Sequence, residues 1–439
     1  MTRSRCTDGA NPRQRGVERV TFSHTLRSLR HRNFRLYFVG QFISMCGTWM
    51  QTMAQMWLVY RLTHSSSLLG LVGFAGQIPS IVFGLLGGAA ADRFDRRKLV
   101  LVTQTAAMVQ ALLLGVLTVT GRVQVWHVFA LAVAIGIVNV FDMPARQSFV
   151  VDMVDDREDL GNAIAMNSVL VNGSRVVGPA VAGVLVGVWG EGTCFLLNSL
   201  SFLAVIASLL MMRMPERQER GAQTLEQTGR HIKDGLRYAW RNPDIRALLV
   251  LLAMISVAGV PFMVLLPIFS DQILGGGATG VGWLMGASGL GAMAGAIFLA
   301  RRNFTSGLDR VAGLTSAGFG VSLILFSFSR SMPVSLALLT LTGFCMMTMF
   351  TGCNTLLQAL TSDAMRGRVM GLFTMTFMAV APFGNLISGF AADRIGAPMT
   401  VAFGGLCCAA AGAIYLRRSL IIALPEGDDR HILQSLGVK

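Results

Sequence analysis

Twelve apolar stretches recur along this chain, near residues 36–60, 68–91, 99–120, 124–142, 164–190, 193–212, 246–270, 279–300, 308–328, 333–353, 369–392 and 398–416. Connectors rich in Arg, Gly or Pro separate them. A helix needs roughly 20 residues to cross the hydrocarbon of a bilayer, and these stretches supply that length. They are too long for single strands and lack period-2 alternation, whereas a helix satisfies its own backbone groups in lipid. Twelve spans take roughly 240 residues, which leaves the 439-residue chain short loops, one longer central connector and two tails. No large soluble domain fits. A chain that is 53% hydrophobic and 14% charged, with mean hydropathy +0.58, is also too apolar for a soluble domain. The predicted architecture is an all-α polytopic membrane protein of two six-helix halves. The N-terminal tail takes 1–35, the first half 36–212, the central linker 213–245, the second half 246–418 and the C-terminal tail 419–439.

The net charge of +14 has a topological reading. The first 35 residues are Arg-rich and have no apolar signal-peptide core, so the N-terminus is expected to stay in the cytoplasm. An even number of spans returns the C-terminus to the same side. With that arrangement, 32 of the 37 Lys and Arg fall on the cytoplasmic side. Only Arg61, Arg122, Arg330 and Arg394 fall opposite, and Arg175 lies within a span. This is the positive-inside pattern of a multi-pass cell-membrane protein, in the inner membrane if the source is Gram-negative. Nothing resembles a nucleic-acid-reading element. The seven cysteines lack metal-ligand spacing, so no metal or cofactor is expected. In the linker, Ile232, Leu236, Ala239 and Trp240 share one helical face beside basic residues, as on an interfacial helix, and Pro243 favours its end.

Between spans two and three runs Gly88-Ala89-Ala90-Ala91-Asp92-Arg93-Phe94-Asp95-Arg96-Arg97-Lys98. It resembles the major facilitator loop pattern G-x-L-A-D-R-x-G-R-K, with Ala90 in place of Leu and Asp95 in place of Gly. The resemblance implies a gate: Gly87, Gly88 and Ala91 permit close helix approach, and Asp92 pairs with basic groups or faces a helix N-terminus. Arg93, Arg96 and Arg97 complete the motif. The loop after span eight, around Arg301, Arg302, Asp309 and Arg310, keeps only the basic character.

Span five carries Gly173-Ser174-Arg175-Val176-Val177-Gly178-Pro179-Ala180-Val181-Ala182-Gly183, which resembles the superfamily's antiporter motif. Pro179 lacks a backbone donor and Gly178 adds freedom, so the helix can bend there. Gly183 and Gly187 extend a small-residue face. Residues 25–60, Phe141–Gln147 and Asn162–Pro179 narrow the likeness to the bacterial exporter branch containing enterobactin exporters, the transmembrane secretion effector family. That resemblance covers most of 25–420. It implies the major facilitator fold, export of a small amphipathic compound such as a siderophore or drug, and alternating access. An uptake permease and a non-transporting receptor or scaffold are the other readings. A polytopic enzyme lacks any catalytic constellation to support it. No P-loop is present, so energy is expected from an ion gradient, with the proton as coupling ion. The Arg that many proton-linked facilitators carry in span four is missing from Phe129–Gly136. A monomer is expected.

Arg175 is the conspicuous intramembrane charge, with Asp142 in span four as its ionic counterpart and the candidate coupling carboxylate. A structural pair explains both equally well. Gln41, Ser44, Thr48, Gln51 and Gln55 make a polar face on span one. With Asn139, Asn167, Thr351 and Thr355 they are read as a central cavity, and interhelical polar packing is the competing reading.

Overall fold

The computed structural model describes residues 27–153, 157–212, 225–302 and 307–422. Both extreme tails, the start of the linker and the side chain of Asp92 lie outside the described residues, as does the side chain of Ile232. A short 3-10 turn, Arg27–Arg30, precedes α1 (Arg32–Thr63), α2 (Ser66–Ala75), α3 (Ile78–Arg93), α4 (Arg96–Val119), α5 (Val125–Asp152), α6 (Arg157–Trp189) and α7 (Glu191–Met211). The linker helix is α8 (Leu225–Arg241). Beyond it come α9 (Pro243–Ala258), α10 (Phe262–Ile268) with a π turn Phe269–Ile273, α11 (Gly277–Ala300), α12 (Leu308–Phe328), α13 (Met332–Leu360), α14 (Asp363–Ile395) and α15 (Ala397–Ile422). Among the described residues there is no strand.

Among the described residues eleven segments are long and apolar enough to cross a membrane, and α1, which falls short of that apolarity, is read as the twelfth span. At 32 residues its length suffices, but Gln41, Ser44, Thr48, Gln51, Thr52 and Gln55 dilute its hydropathy. Two spans are interrupted. The second is α2 and α3 with a break at Gly76–Gln77, and the seventh is α9 and α10 with a break at Gly259–Pro261. Proline begins the helical run after Asn242, which caps α9 by accepting from the backbone N–H groups of Asp244 (3.1 Å) and Ile245 (3.3 Å).

Lipid tails are as apolar as Leu, so helices associate here by close packing rather than by hydrophobic expulsion. Glycines provide that closeness. In the second half, Gly320 of α12 lies against Gly405 and Ala409 of α15, and Gly343 of α13 against the Ser288 carbonyl of α11. In the first half, α1 packs on α6 and α7, α4 on α5 and α7, and α3 on α5. Large exposed apolar side chains such as Val102, Leu203, Leu314 and Ile414 sit on α4, α7, α12 and α15, as expected of surfaces that meet lipid.

The halves meet along two helix pairs, α6 with α11 and α2 with α14. One end of the bundle carries α8 and is called the linker end; the other is the far end. A buried cluster crosses between the halves, joining Met53, Leu58, Tyr60 and Leu69 to Leu265, Phe269 and Leu284. At the linker end a separate cluster, including Phe34, Tyr37, Val100, Phe149 and Leu209, stays within the first half.

Candidate functional site: gates at two ends and a charge at mid-depth

The far end is latched across the halves. Asp393, at the end of α14, accepts from the backbone N–H of Ser66 at 2.8 Å and of Ser67 at 3.1 Å. The hydroxyls of Ser65 (3.3 Å) and Ser67 also donate to it. These N–H groups are the unsatisfied donors of the first turn of α2, so a carboxylate from one half caps a helix of the other. Nearby, Tyr60 Oη donates to Asp271 Oδ2 at 2.8 Å, and Gln272 Nε2 donates to Tyr60 Oη at 3.3 Å. Arg61 pairs with Glu191 at 2.7 Å within the first half.

Below the latch, the span-five motif forms a seam with α11. A side chain on Gly282 would meet the Pro179 carbonyl at 2.5 Å and Gly183 Cα at 2.7 Å. Thr279 Oγ1 donates to the Gly183 carbonyl at 3.0 Å. Gly178 faces α1 instead, where a side chain would meet the Cys46 carbonyl and Trp49 Cβ, each at 2.6 Å. α6 runs unbroken through Pro179.

The linker end is different. Gly84 and Gly88 of α3 and Gly367 and Gly371 of α14 face open space. Among the described residues no side-chain hydrogen bond or ion pair joins the first six spans to the last six there. The linker helix itself docks on α14, with Asp234 bonded to Arg368 at 3.3 Å and Gly235 against the Arg368 stem. Ala239 is buried, while Leu236 and Trp240 are exposed.

Within the first motif, Gly87 packs against the Val140 carbonyl of α5, whereas Gly88 does not touch a neighbour. Arg93 is exposed. Arg96 reaches the Ala91 and Ser148 carbonyls, both at 3.4 Å. Arg97 donates to the last carbonyls of α7, Leu209 at 2.9 Å and Leu210 at 3.2 Å, and so caps that helix. Asp95, where the family pattern has Gly, caps α4 by accepting from Lys98 N at 2.9 Å.

The structure separates Asp142, toward the linker end of α5, from Arg175 at mid-depth. Asp142 is buried, accepts from Thr103 Oγ1 and Gln104 Nε2, both at 2.8 Å, and faces Arg146 Nε at 3.5 Å. Arg175 lies over the Trp49 ring, 5.4 Å from its centroid, with Nη2 3.7 Å from Met263 Sδ. Its Nε is buried without a protein partner. These three side chains come from α1, α6 and the start of α10, and therefore from both halves.

The proposed cavity residues divide. Gln51 donates to Gln110 Oε1 at 2.9 Å and accepts from Asn198 Nδ2 at 2.7 Å, a ladder that continues from Gln110 Nε2 to the Leu131 carbonyl. It belongs to packing within the first half. Gln41 and Ser44 are also buried. Thr48 and Asn139 are exposed, whereas Gln55, Asn167, Thr351 and Thr355 are half-buried. Thr48 and Thr355 donate back to carbonyls of their own helices, Ser44 and Thr351, at 3.0 Å.

Asp393, Tyr60 and Asp271 escape a sequence reading focused on the loops after spans two and eight. A signal for Asp393 exists: Gly389-Phe390-Ala391-Ala392-Asp393-Arg394 repeats the Gly88-Ala89-Ala90-Ala91-Asp92-Arg93 pattern, but at the other end of the bundle.

Two six-helix halves, touching through paired helices and latched at one end, define a membrane transporter of the major facilitator type rather than an enzyme. The model of the transmembrane secretion effector family matches residues 23–436, and the chain belongs to that family. The staphyloferrin A transporter of Staphylococcus aureus is 24% identical, over 90% of this chain and 98% of that one. The multidrug efflux pump Tap of Mycolicibacterium fortuitum is 26% identical, over 77% and 84%, and macrolide efflux protein A of Streptococcus pyogenes is 24% identical, over 84% and 92%. In fold, the chain is similar to an inward-facing bacterial homologue of the lysosomal transporter Spinster, with TM-score 0.61, 15% identity and coverage of 92% and 94%. It is also similar to the nucleoside transporter NupG, with TM-score 0.68, 11% identity and coverage of 89% and 100%.

Proposed function

We propose that this protein exports a small amphipathic organic compound, of siderophore or drug type, by alternating access and proton antiport. The observation that carries this reading is the asymmetry of the interface: the cross-half hydrogen bonds of Asp393, Tyr60 and Thr279 gather toward the far end, while small-residue faces stand open at the linker end. Such an arrangement suits one of two alternating states. The Lys/Arg distribution supports a cytoplasmic linker end and cytoplasmic tails, and with that orientation this state admits cargo from inside the cell.

Asp142 is the carboxylate proposed for coupling, because it is buried, accepts from Thr103 and Gln104, and stands beside Arg146. Energy comes from the gradient. In inside-out vesicles an acidic lumen is expected to drive cargo inward, and collapse of both the pH and electrical components to abolish accumulation. Asp142→Asn is expected to abolish proton-driven accumulation but to leave downhill exchange measurable. Accumulation that persists without any ion gradient overturns the proton-driven cycle, and gradient-driven exit from inside-out vesicles reverses the assigned direction.

A further inference from the structure

A guanidinium presents five N–H donors and keeps its charge throughout the physiological range. Placed at the middle of a membrane helix, Arg costs roughly 2.5–3.5 kcal/mol on insertion scales. Charges inside a membrane helix are therefore normally paired, yet the half-buried Arg175 has no carboxylate within ion-pair distance among the described residues. Asp142 is engaged with Thr103, Gln104 and Arg146, and Asp271 accepts from Tyr60. What Arg175 does have is weak. The Trp49 ring at 5.4 Å contributes about 0.5–2 kcal/mol as a cation–π partner, and the Met263 thioether at 3.7 Å is a poor acceptor.

The orphaned atom is informative. Nε and Nη2 share the edge of the guanidinium that grips a carboxylate side-on with two parallel hydrogen bonds. In this protein Nε on that edge has no acceptor, and Nη2 has only methionine, an unbranched side chain that moves aside readily. Gly178 sets the arrangement, because it lets α6 approach α1 closely enough to bring Trp49 beside Arg175.

We propose that Arg175, with Trp49 beside it and Met263 as a displaceable cover, binds a carboxylate or similar oxyanion of the transported compound. This assignment rests on the exporter reading above and deepens it: the cargo is anionic and carries an apolar body that lies against Trp49. A lipid phosphate offers the same chemistry. Arg175, however, lies 10 residues inside the linker-end edge of its span, Ala165–Trp189, roughly 15 Å at 1.5 Å per residue, near the middle of the hydrocarbon rather than at the headgroup layer.

The test uses the full chain in phosphatidylcholine nanodiscs, titrated calorimetrically with 2-naphthylacetate and with its uncharged methyl ester; empty discs provide the subtraction. The acid is expected to bind at least about tenfold tighter than the ester, about 1.4 kcal/mol. Arg175→Gln is expected to erase that preference by weakening the acid alone, and Arg175→Lys to keep part of it. Met263→Glu supplies Arg175 with a carboxylate of its own and is expected to produce the same loss, so the outcome does not depend on Arg175→Gln folding. Equal binding of acid and ester to the unaltered protein, or wild-type preference in Met263→Glu, overturns the proposal. Replacing phosphatidylcholine by phosphatidylglycerol is expected to leave acid binding unchanged; its suppression assigns the site to lipid and overturns cargo recognition. Vesicle flux separates this proposal from the exporter reading. Export without preference for acids ends the anion site alone, whereas acid-selective binding without movement of the acid in either direction ends the exporter reading.

Discussion

Gln51 and Arg175 are both polar residues inside the membrane, and their surroundings give them opposite meanings. The Gln51 amide is paired at both its oxygen and its nitrogen. A satisfied network of this kind fixes helix positions, and removing one member leaves the others buried and unpaired. Gln51→Leu is accordingly expected to cost about 1–3 kcal/mol of stability through Gln110 and Asn198, measured as lower folded yield and a lower melting temperature. Flux per folded molecule is expected to be unchanged. A selective loss of flux would return Gln51 to the cargo path. Asp393 acts at the same scale but at an exposed end. Carboxylate interactions with a helix N-terminus are worth about 0.3–1 kcal/mol in exposed settings, strong enough to bias a gate and weak enough to release it. Asp393→Asn is expected to keep folded abundance and to lengthen the distance between spin labels at Gln124 and Arg330, two far-end positions in different halves. An unchanged distance distribution would show that the latch does not hold the closure.

Among the elements, α6 contacts both α1 and α11 through its small residues: Gly178 seats α1, while Pro179 and Gly183 seat α11. The Gly-rich motif is thus a double packing surface, and its value lies in what approaches it. Gly282→Leu inserts a side chain where two backbone atoms already stand within 2.7 Å. It is expected to part α6 from α11 and to reduce flux at least about tenfold, a change of about 1.4 kcal/mol in the barrier, with both halves still inserted. Flux with the native far-end distance would refute this. The start of α4 illustrates a different compensation. Asp95 departs from the family pattern because it serves as the cap of α4, and Asp95→Ala is expected to lower stability by about 1 kcal/mol, read as a lower melting temperature. Such a cap is visible in the sequence as Asp before a helical run. The pairing of Arg97 with the carbonyls of α7 is not, because more than 110 residues separate donor from acceptor.

For the whole molecule, the expected counterpart of the present arrangement is a state with the linker end closed and the far end open. After replacement of the native cysteines, a pair at Gly187 and Thr279, which face each other across the halves outside the latch, is expected to cross-link in the resting protein, and a pair at Gly88 and Gly367 only during turnover. Cross-linking of both pairs at rest, or of the second pair never, would exclude the rocking motion proposed here.

How much of this was legible follows from the range of each interaction. Span number, the division into halves and the family motifs come from local composition, since lipid forces every crossing segment to be long, apolar and internally hydrogen-bonded. The amino-acid sequence alone therefore determined the transporter architecture, and marked Arg175 as a charge needing an explanation. It did not determine partners. Asp142 was as reasonable a counterpart for Arg175 as Arg146 proved to be for Asp142, and Gln51 suited a cavity as well as a packed seam. Tertiary structure decided these, because a hydrogen bond in a helical bundle depends on which faces meet. Asp393 finds Ser66 across 327 positions of chain, a distance over which no periodicity or motif spacing carries information.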